Sequence, residues 1–202
     1  MRLFRAPTRS AIIDDIKGKH AIAYYYFDFR DPKKQDCHGL LSSLIWQLSV
    51  QSDSFSDTLS KLYSDNGPVP VLTLIALKTC IKDMLSQQGQ GPIFIIVDGL
   101  DECPNSRRMP SARGEVLELI KELIGLQRPN VHLCVASRPE IDIQKVLESL
   151  NSLQISLHNE IGQEADIVAY IKSVVNSNNA PDWTEEDENL VVNTLSQKAN
   201  GM

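Results

Sequence analysis

Ile93-Phe94-Ile95-Ile96-Val97-Asp98-Gly99-Leu100-Asp101-Glu102-Cys103 is the stretch from which the rest of the chain is read. Five apolar residues, mostly β-branched, follow the turn signal Gly89-Gln90-Gly91-Pro92. An unbroken run of that kind suits a strand buried on both faces of a parallel sheet. The run ends in acid. A carboxylate at the end of such a strand lies at the carboxyl edge of the sheet, where open α/β folds place their ligands. Gly99 removes a side chain at a point where something can approach the backbone closely. Asp101 and Glu102 add two carboxylates within four positions of Asp98. The set is able to hold a hydrated Mg2+ through Asp98 and to polarise a water with Glu102. The plainer use of the same acids is as turn or helix caps. Like charges packed this closely repel unless a cation or a solvated turn accommodates them.

Strand and helix patterns alternate outward from this segment. Upstream, Ala21-Ile22-Ala23-Tyr24-Tyr25-Tyr26-Phe27-Asp28-Phe29 predicts a strand stopped by Asp31-Pro32, its aromatics serving as core and edge packing. Leu40, Leu41, Leu44, Ile45 and Leu48 share one helical face between Cys37 and Val50, and Phe55, Leu59 and Leu62 continue into a second short helix. Leu74, Leu77, Ile81, Met84 and Leu85 repeat the spacing. Near the start, Ser10 is placed to cap a short helix through Ile16 that Gly18 ends.

Downstream, Pro104 to Pro110 reads as a polar loop, and Val116, Leu119, Ile120, Leu123 and Ile124 form the apolar stripe of the next helix. Val131-His132-Leu133-Cys134-Val135-Ala136-Ser137 predicts another strand, with His132 a core or face residue and not a catalyst. Pro139 stops it and holds Arg138 extended at the edge that carries Asp98. A guanidinium there suits a terminal phosphate, or else a structural ion pair with Asp101 or Glu102. A helix from Ile141 to Leu150, a weak edge strand at Leu153-Gln154-Ile155-Ser156-Leu157, and helices over 164–175 and 184–198 complete the chain, the last with a capping pattern at Thr184 and Asp187.

This alternation predicts an α/β fold, an open parallel sheet with helices on both faces, as a core over residues 1–160 followed by a helical piece over 161–202. The 202 residues carry a net charge of −6 with 42% hydrophobic and 23% charged residues, ordinary values for a soluble globular chain. Without a basic stripe, neither nucleic acid nor a membrane surface is an expected partner. Four scattered cysteines with no CxxC pair argue for a reduced, cytoplasmic setting and against a zinc site. No metal-ligand spacing of His, no G-x-S-x-G and no Cys/His pairing points to a hydrolase or protease.

Taken in order, the Ala21–Asp28 strand, the leucine-rich helix after it, Phe94–Cys103 and Ala136-Ser137-Arg138-Pro139-Glu140 resemble the NACHT class of P-loop NTPases. The closest resemblance is to the nephrocystin-like N-terminal domain of large fungal receptor-type proteins in the STAND group. The resemblance covers nearly the whole chain. It implies a P-loop-NTPase-like sheet, Mg-ATP or Mg-GTP as cofactor, and a nucleotide-controlled oligomerisation switch in innate-immune or self/non-self signalling, with related domains as partners. It also implies that Asp98 is the Mg2+-binding acid of a Walker B segment, that Asp101 and Glu102 are the acidic pair associated with hydrolysis, and that Arg138 is the arginine that senses the γ-phosphate.

One departure stands out: G-x-x-x-x-G-K-[ST], whose amides and lysine cradle phosphates, is absent from these residues, and the first glycine is Gly18. The expectations that follow are a truncated core without its first central strand, two unpaired inner sheet edges, a partial helical lid, and no ATP binding or hydrolysis by this chain itself. An upstream segment encoding an apolar strand and a Gly-Lys-Ser or Gly-Lys-Thr loop is expected with them. The alternatives are a degenerate, non-catalytic scaffold that associates with full-length relatives, and an unrelated flavodoxin-like or receiver-like Mg-binding domain.

Overall fold

The computed structural model describes residues 20–65, 72–106, 110–150, 153, 163–177 and 184–198. The chain divides into two compact units, Phe4–Ser152 and Leu153–Met202, the latter together with Met1–Leu3. The expected boundary after residue 160, the helix at Ser10–Ile16 and the strand over 154–157 lie outside the described residues.

The larger unit contains, in order, β1 (Ala21–Tyr26), α1 (Cys37–Ser49), α2 (Asp53–Asp65), α3 (Leu74–Ser86), β2 (Ile93–Asp98), α4 (Ala112–Gly125), β3 (Val131–Val135) and α5 (Ile141–Glu148). The smaller unit contains α6 (Gln163–Ser177) and α7 (Glu185–Lys198). The strands form a parallel sheet in the order β1-β2-β3, in which Ala21 is opposite Ile93 and Ile93 opposite Val131. This is the expected α/β class, a three-stranded parallel sheet flanked by helices and consistent with a P-loop-like fold.

Local chemistry sets the helix starts. Asp36 accepts the Gly39 N–H at 2.7 Å to begin α1, Thr73 accepts the Ala76 N–H at 3.2 Å to begin α3, and Ser111 accepts the Gly114 N–H at 3.0 Å to begin α4. Each satisfies an orphan donor of the first turn. Gly39 is required for packing as well: a Cβ there would sit 2.7 Å from the Lys33 carbonyl oxygen. The expected capping pattern on α7 is present, with Asp187 accepting the Thr184 N–H at 2.9 Å and Thr184 Oγ1 accepting the Asp187 N–H at 3.3 Å.

Two expectations are corrected. The inner edges of the sheet are not left unpaired, because β2 pairs along its length with β1 on one side and β3 on the other. Two extended segments with free donors and acceptors close on one another where nothing lies between them. Nor is β2 fully buried on both faces. Ile93, Ile95 and Val97 are buried while Phe94, Ile96 and Asp98 are only partly so. The alternation arises because one face of the sheet, with Ala23, Tyr25 and the three buried β2 residues, shares a single apolar cluster with α1 through α5. The residues of opposite parity, such as Tyr24, Phe94 and Ile96, are not part of that cluster. On this second face His132 is exposed and stacks on Phe94 with centroids 4.8 Å apart, as expected of a face residue.

All four cysteines are free thiols, and Cys37, Cys80 and Cys103 are buried. Burial pushes Cys37 and Cys103 up to about 12 and Cys80 up to about 11. Tyr25 is likewise raised to about 12, by burial first and then by the Asp36 carboxylate. Each group holds its proton more tightly folded than unfolded. The stability this represents is fully present below about pH 9, where unfolded thiols begin to ionise, and is lost as pH rises toward 12. Urea midpoints are therefore expected to agree at about pH 7 and about pH 8 and to fall by about pH 10. Equal midpoints across that range would show that these groups titrate alike in both states.

Among the described residues no helix is long and apolar enough to cross a membrane.

Candidate functional site

The carboxyl ends of β1, β2 and β3 form one edge of the sheet, and the acids and Arg138 collect there. β2 ends at Asp98, whose carbonyl accepts the Phe27 N–H at 3.0 Å and so extends the pairing with β1 by one bond. Gly99 follows in the left-handed region with φ 68°, which an L side chain rarely adopts. The close approach foreseen at Gly99 comes from the protein itself, since a Cβ there would lie 3.3 Å from the Phe27 carbonyl oxygen. Leu100 then turns inward, fully buried, and its N–H bonds to the Ala136 carbonyl at 3.2 Å beyond the end of β3.

Residues Leu100–Glu102 form a single 3-10 turn that the sequence reading did not include. Successive side chains in such a turn are separated by about 120°, so the two adjacent acids diverge. Asp101 turns toward the loop after β3. Its Oδ1 accepts the Arg138 N–H at 3.0 Å and the Ser137 hydroxyl at 3.5 Å, and its Oδ2 lies 3.5 Å from Arg138 Nε. Glu102 turns toward the loop after β1, where Oε2 accepts the Phe29 N–H at 3.2 Å. The repulsion expected of clustered acids is relieved by this divergence together with the N–H donors and the guanidinium.

Arg138 therefore sits where the sequence placed it, at the edge that carries Asp98, and it makes the ion pair with Asp101. Its side chain is 78% exposed while that of Asp101 is 11% exposed. A screened contact of that kind stabilises weakly by itself. The stronger tie is the carboxylate's bond to the backbone amide. A second exposed guanidinium lies on the same edge. Arg30 grips Asp28 with two bonds, at 2.9 and 3.0 Å, and holds that carboxyl down at about 2.

The residue that organises the edge is one the sequence reading passed over. Arg113, in the first turn of α4, is buried and donates to the Cys103 carbonyl at 2.9 Å and to the Asp101 carbonyl at 2.6 Å. Its remaining nitrogen meets Asp142 of α5 at 3.3 Å, and Asn105 bonds the same carboxylate at 2.9 Å. One planar fork thus ties the acid-bearing turn to two helices. The signal was present in the pattern, since Arg113 lies three, four and seven residues before Val116, Leu117 and Ile120 and shares their buried stripe.

Replacing Asp101 with alanine is expected to lower stability by about 1–2 kcal/mol, the scale of lost hydrogen bonds to a charged acceptor. Asn at this position keeps an acceptor and is expected to lose less. Were Asp101 a vacant cation ligand and nothing more, both changes would leave the urea midpoint unchanged or raise it.

Asp98 ends β2 at this edge, and the exposed guanidinium of Arg138 lies beyond the end of β3. Among the described residues no three His, Cys, Asp or Glu gather to hold a metal. Residues 1–202 contain no G-x-x-x-x-G-K-[ST] run.

No curated protein and no solved structure matches the chain. One family model does, described as Nephrocystin 3, N-terminal, and it matches residues 8–138. The match contains all three described strands, Asp98, Asp101 and Glu102, and it ends on Arg138. Since it covers well over half of the 202 residues, the chain belongs to the nephrocystin 3 N-terminal family.

Proposed function

We propose that the chain is a NACHT-type module of a nucleotide-controlled signalling switch, of the innate-immune or self/non-self kind. In this reading its own edge neither binds Mg-ATP tightly nor hydrolyses it, and it acts in the cytoplasm by associating with related domains. Family membership supports the NACHT-like part of this reading. The observation that supports an edge without hydrolytic activity is that both acids of the pair assigned by resemblance are engaged with backbone: Asp101 holds the Arg138 amide and Glu102 holds the Phe29 amide. A carboxylate engaged in this way organises two loops, and it is less available to polarise a water. Residues 1–202 contain no G-x-x-x-x-G-K-[ST] run that would add phosphate ligands to this edge. In this reading Asp98 is the acid that would hold Mg2+ through water, and Arg138 the group that would meet a terminal phosphate.

Isothermal titration of the chain with Mg-ATP and with Mg-GTP tests the reading. Affinity is expected to be no tighter than about millimolar, a binding free energy of about −4 kcal/mol. Replacing Asp98 or Arg138 with alanine is expected to change little. Micromolar binding that Arg138→Ala abolishes would overturn the proposal and make this edge a working nucleotide site.

A further inference from the structure

Among the described residues, the edge of β1 away from β2 is covered by two side-chain amides. In a parallel strand, alternate residues direct both backbone groups to the same side. Ala21, Ala23 and Tyr25 therefore serve β2, while Ile22 and Tyr24 face outward. Gln51, just past the end of α1, accepts the Ile22 N–H at 2.9 Å and donates to the Ile22 carbonyl at 2.7 Å. Gln47, within α1, accepts the Tyr24 N–H at 3.1 Å and donates to the Tyr24 carbonyl at 2.8 Å. Ser43, a further turn back along α1, supports Gln47 through a hydroxyl bond at 2.9 Å.

The spacing makes this possible. Four residues of helix rise about 6 Å and two residues of strand about 6.6 Å, so glutamines one turn apart meet alternate strand residues. An amide side chain has the donor and acceptor of a peptide unit, so the pair occupies the positions that a neighbouring strand's backbone would take.

We propose that Gln47 and Gln51 stand in for a fourth strand and keep β1 from pairing with β1 of a second copy of this chain. An uncovered edge is self-complementary, because two copies related by a two-fold axis offer each other the same antiparallel ladder. The flank favours such pairing. An open groove of about 610 Å³ runs beside this edge, and Trp46 and Val50 on its wall are 63% and 65% exposed. A second copy would bury that apolar shoulder along with the strand. The amide ladder removes the backbone half of the interaction and leaves the shoulder alone too small to hold a partner.

The test is the double variant Gln47→Ala with Gln51→Ala in the full chain, followed by light scattering and residue-resolved amide exchange. The variant is expected to gain mass relative to the unaltered chain as concentration rises. In dilute solution the Ile22 and Tyr24 amides are expected to exchange faster by about tenfold or more, the effect of losing roughly 1.4 kcal/mol of protection. The Ala23 and Tyr25 amides, bonded toward β2, are expected to stay protected, which separates loss of the ladder from general unfolding. Adding Tyr24→Pro, which removes an outward N–H together with the Tyr24 ring, is expected to restore the original mass, and Tyr24→Ala, which removes the ring alone, is expected not to. Should the double variant fail to fold, each single variant is read on the same amides, Tyr24 for Gln47→Ala and Ile22 for Gln51→Ala. Unchanged exchange at these amides, unchanged mass in the folded double variant, or association that Tyr24→Pro does not reverse would overturn the proposal.

Discussion

Replacing Arg113 with methionine is expected to destabilise the larger unit by about 3–5 kcal/mol, the range for removing one member of a buried charged network. In a chain of this length that corresponds to a fall in Tm of roughly 10 °C or more. The apolar replacement fills much the same volume, so the loss measures hydrogen bonding and charge more than packing. It leaves the carbonyls of Asp101 and Cys103 without their donors and Asp142 without its guanidinium. Lysine is expected to recover little, because a single ammonium cannot bond two carbonyls and a carboxylate from the position of a planar fork. Arg128, exposed beyond the end of α4, provides the control. Methionine there should stay within about 0.5 kcal/mol. Equal losses at the two positions would mean that the fork contributes nothing beyond its charge.

The second large effect is expected at Phe55. α2 is a polar helix, Asp53-Ser54-Phe55-Ser56-Asp57-Thr58-Leu59-Ser60-Lys61-Leu62-Tyr63-Ser64-Asp65, and only Phe55 and Leu62 are buried in it. Phe55 has no exposed surface and joins the cluster formed by α1, α3 and the sheet. Its replacement by alanine is expected to cost about 3–5 kcal/mol through lost transfer energy and the cavity left behind. Leu62, 9% exposed at the other end of the helix, should cost less when truncated. The residual tie is polar, with Gln87 donating to the Ser54 carbonyl at 3.1 Å and to Thr58 Oγ1 at 2.7 Å. Native-state amide exchange is expected to show α2 opening before the sheet in the Phe55→Ala chain. Uniform loss of protection across the unit would mean that α2 does not open separately.

Most elements were legible because their signals are local. The aromatic and β-branched runs at Ala21–Tyr26, Ile93–Asp98 and Val131–Val135 are strands, and the leucine spacing of Cys37–Ser49 and the stripe of Ala112–Gly125 are helices. Each depends on a period of two or of 3.6 that a short window of residues contains. Strand ends were read too far, to Phe29 and to Ser137, because apolar or small residues continue beyond the last ladder bond. There the turn geometry, and not the side-chain pattern, ends the pairing.

The sequence by itself determined the α/β class, the helix cap at Thr184, and the placing of Asp98, Asp101, Glu102 and Arg138 along one sheet edge, since alternation puts all strand ends of a parallel sheet together. What the residues at that edge do was decided by partners far away in the chain. Asp101 meets Arg138 thirty-seven positions later, Glu102 meets Phe29 seventy-three positions earlier, and Gln51 covers Ile22 twenty-nine positions before it. No periodic pattern encodes such pairings. They form only when the strands are side by side, where a buried or half-buried donor without water must take the nearest acceptor that packing presents.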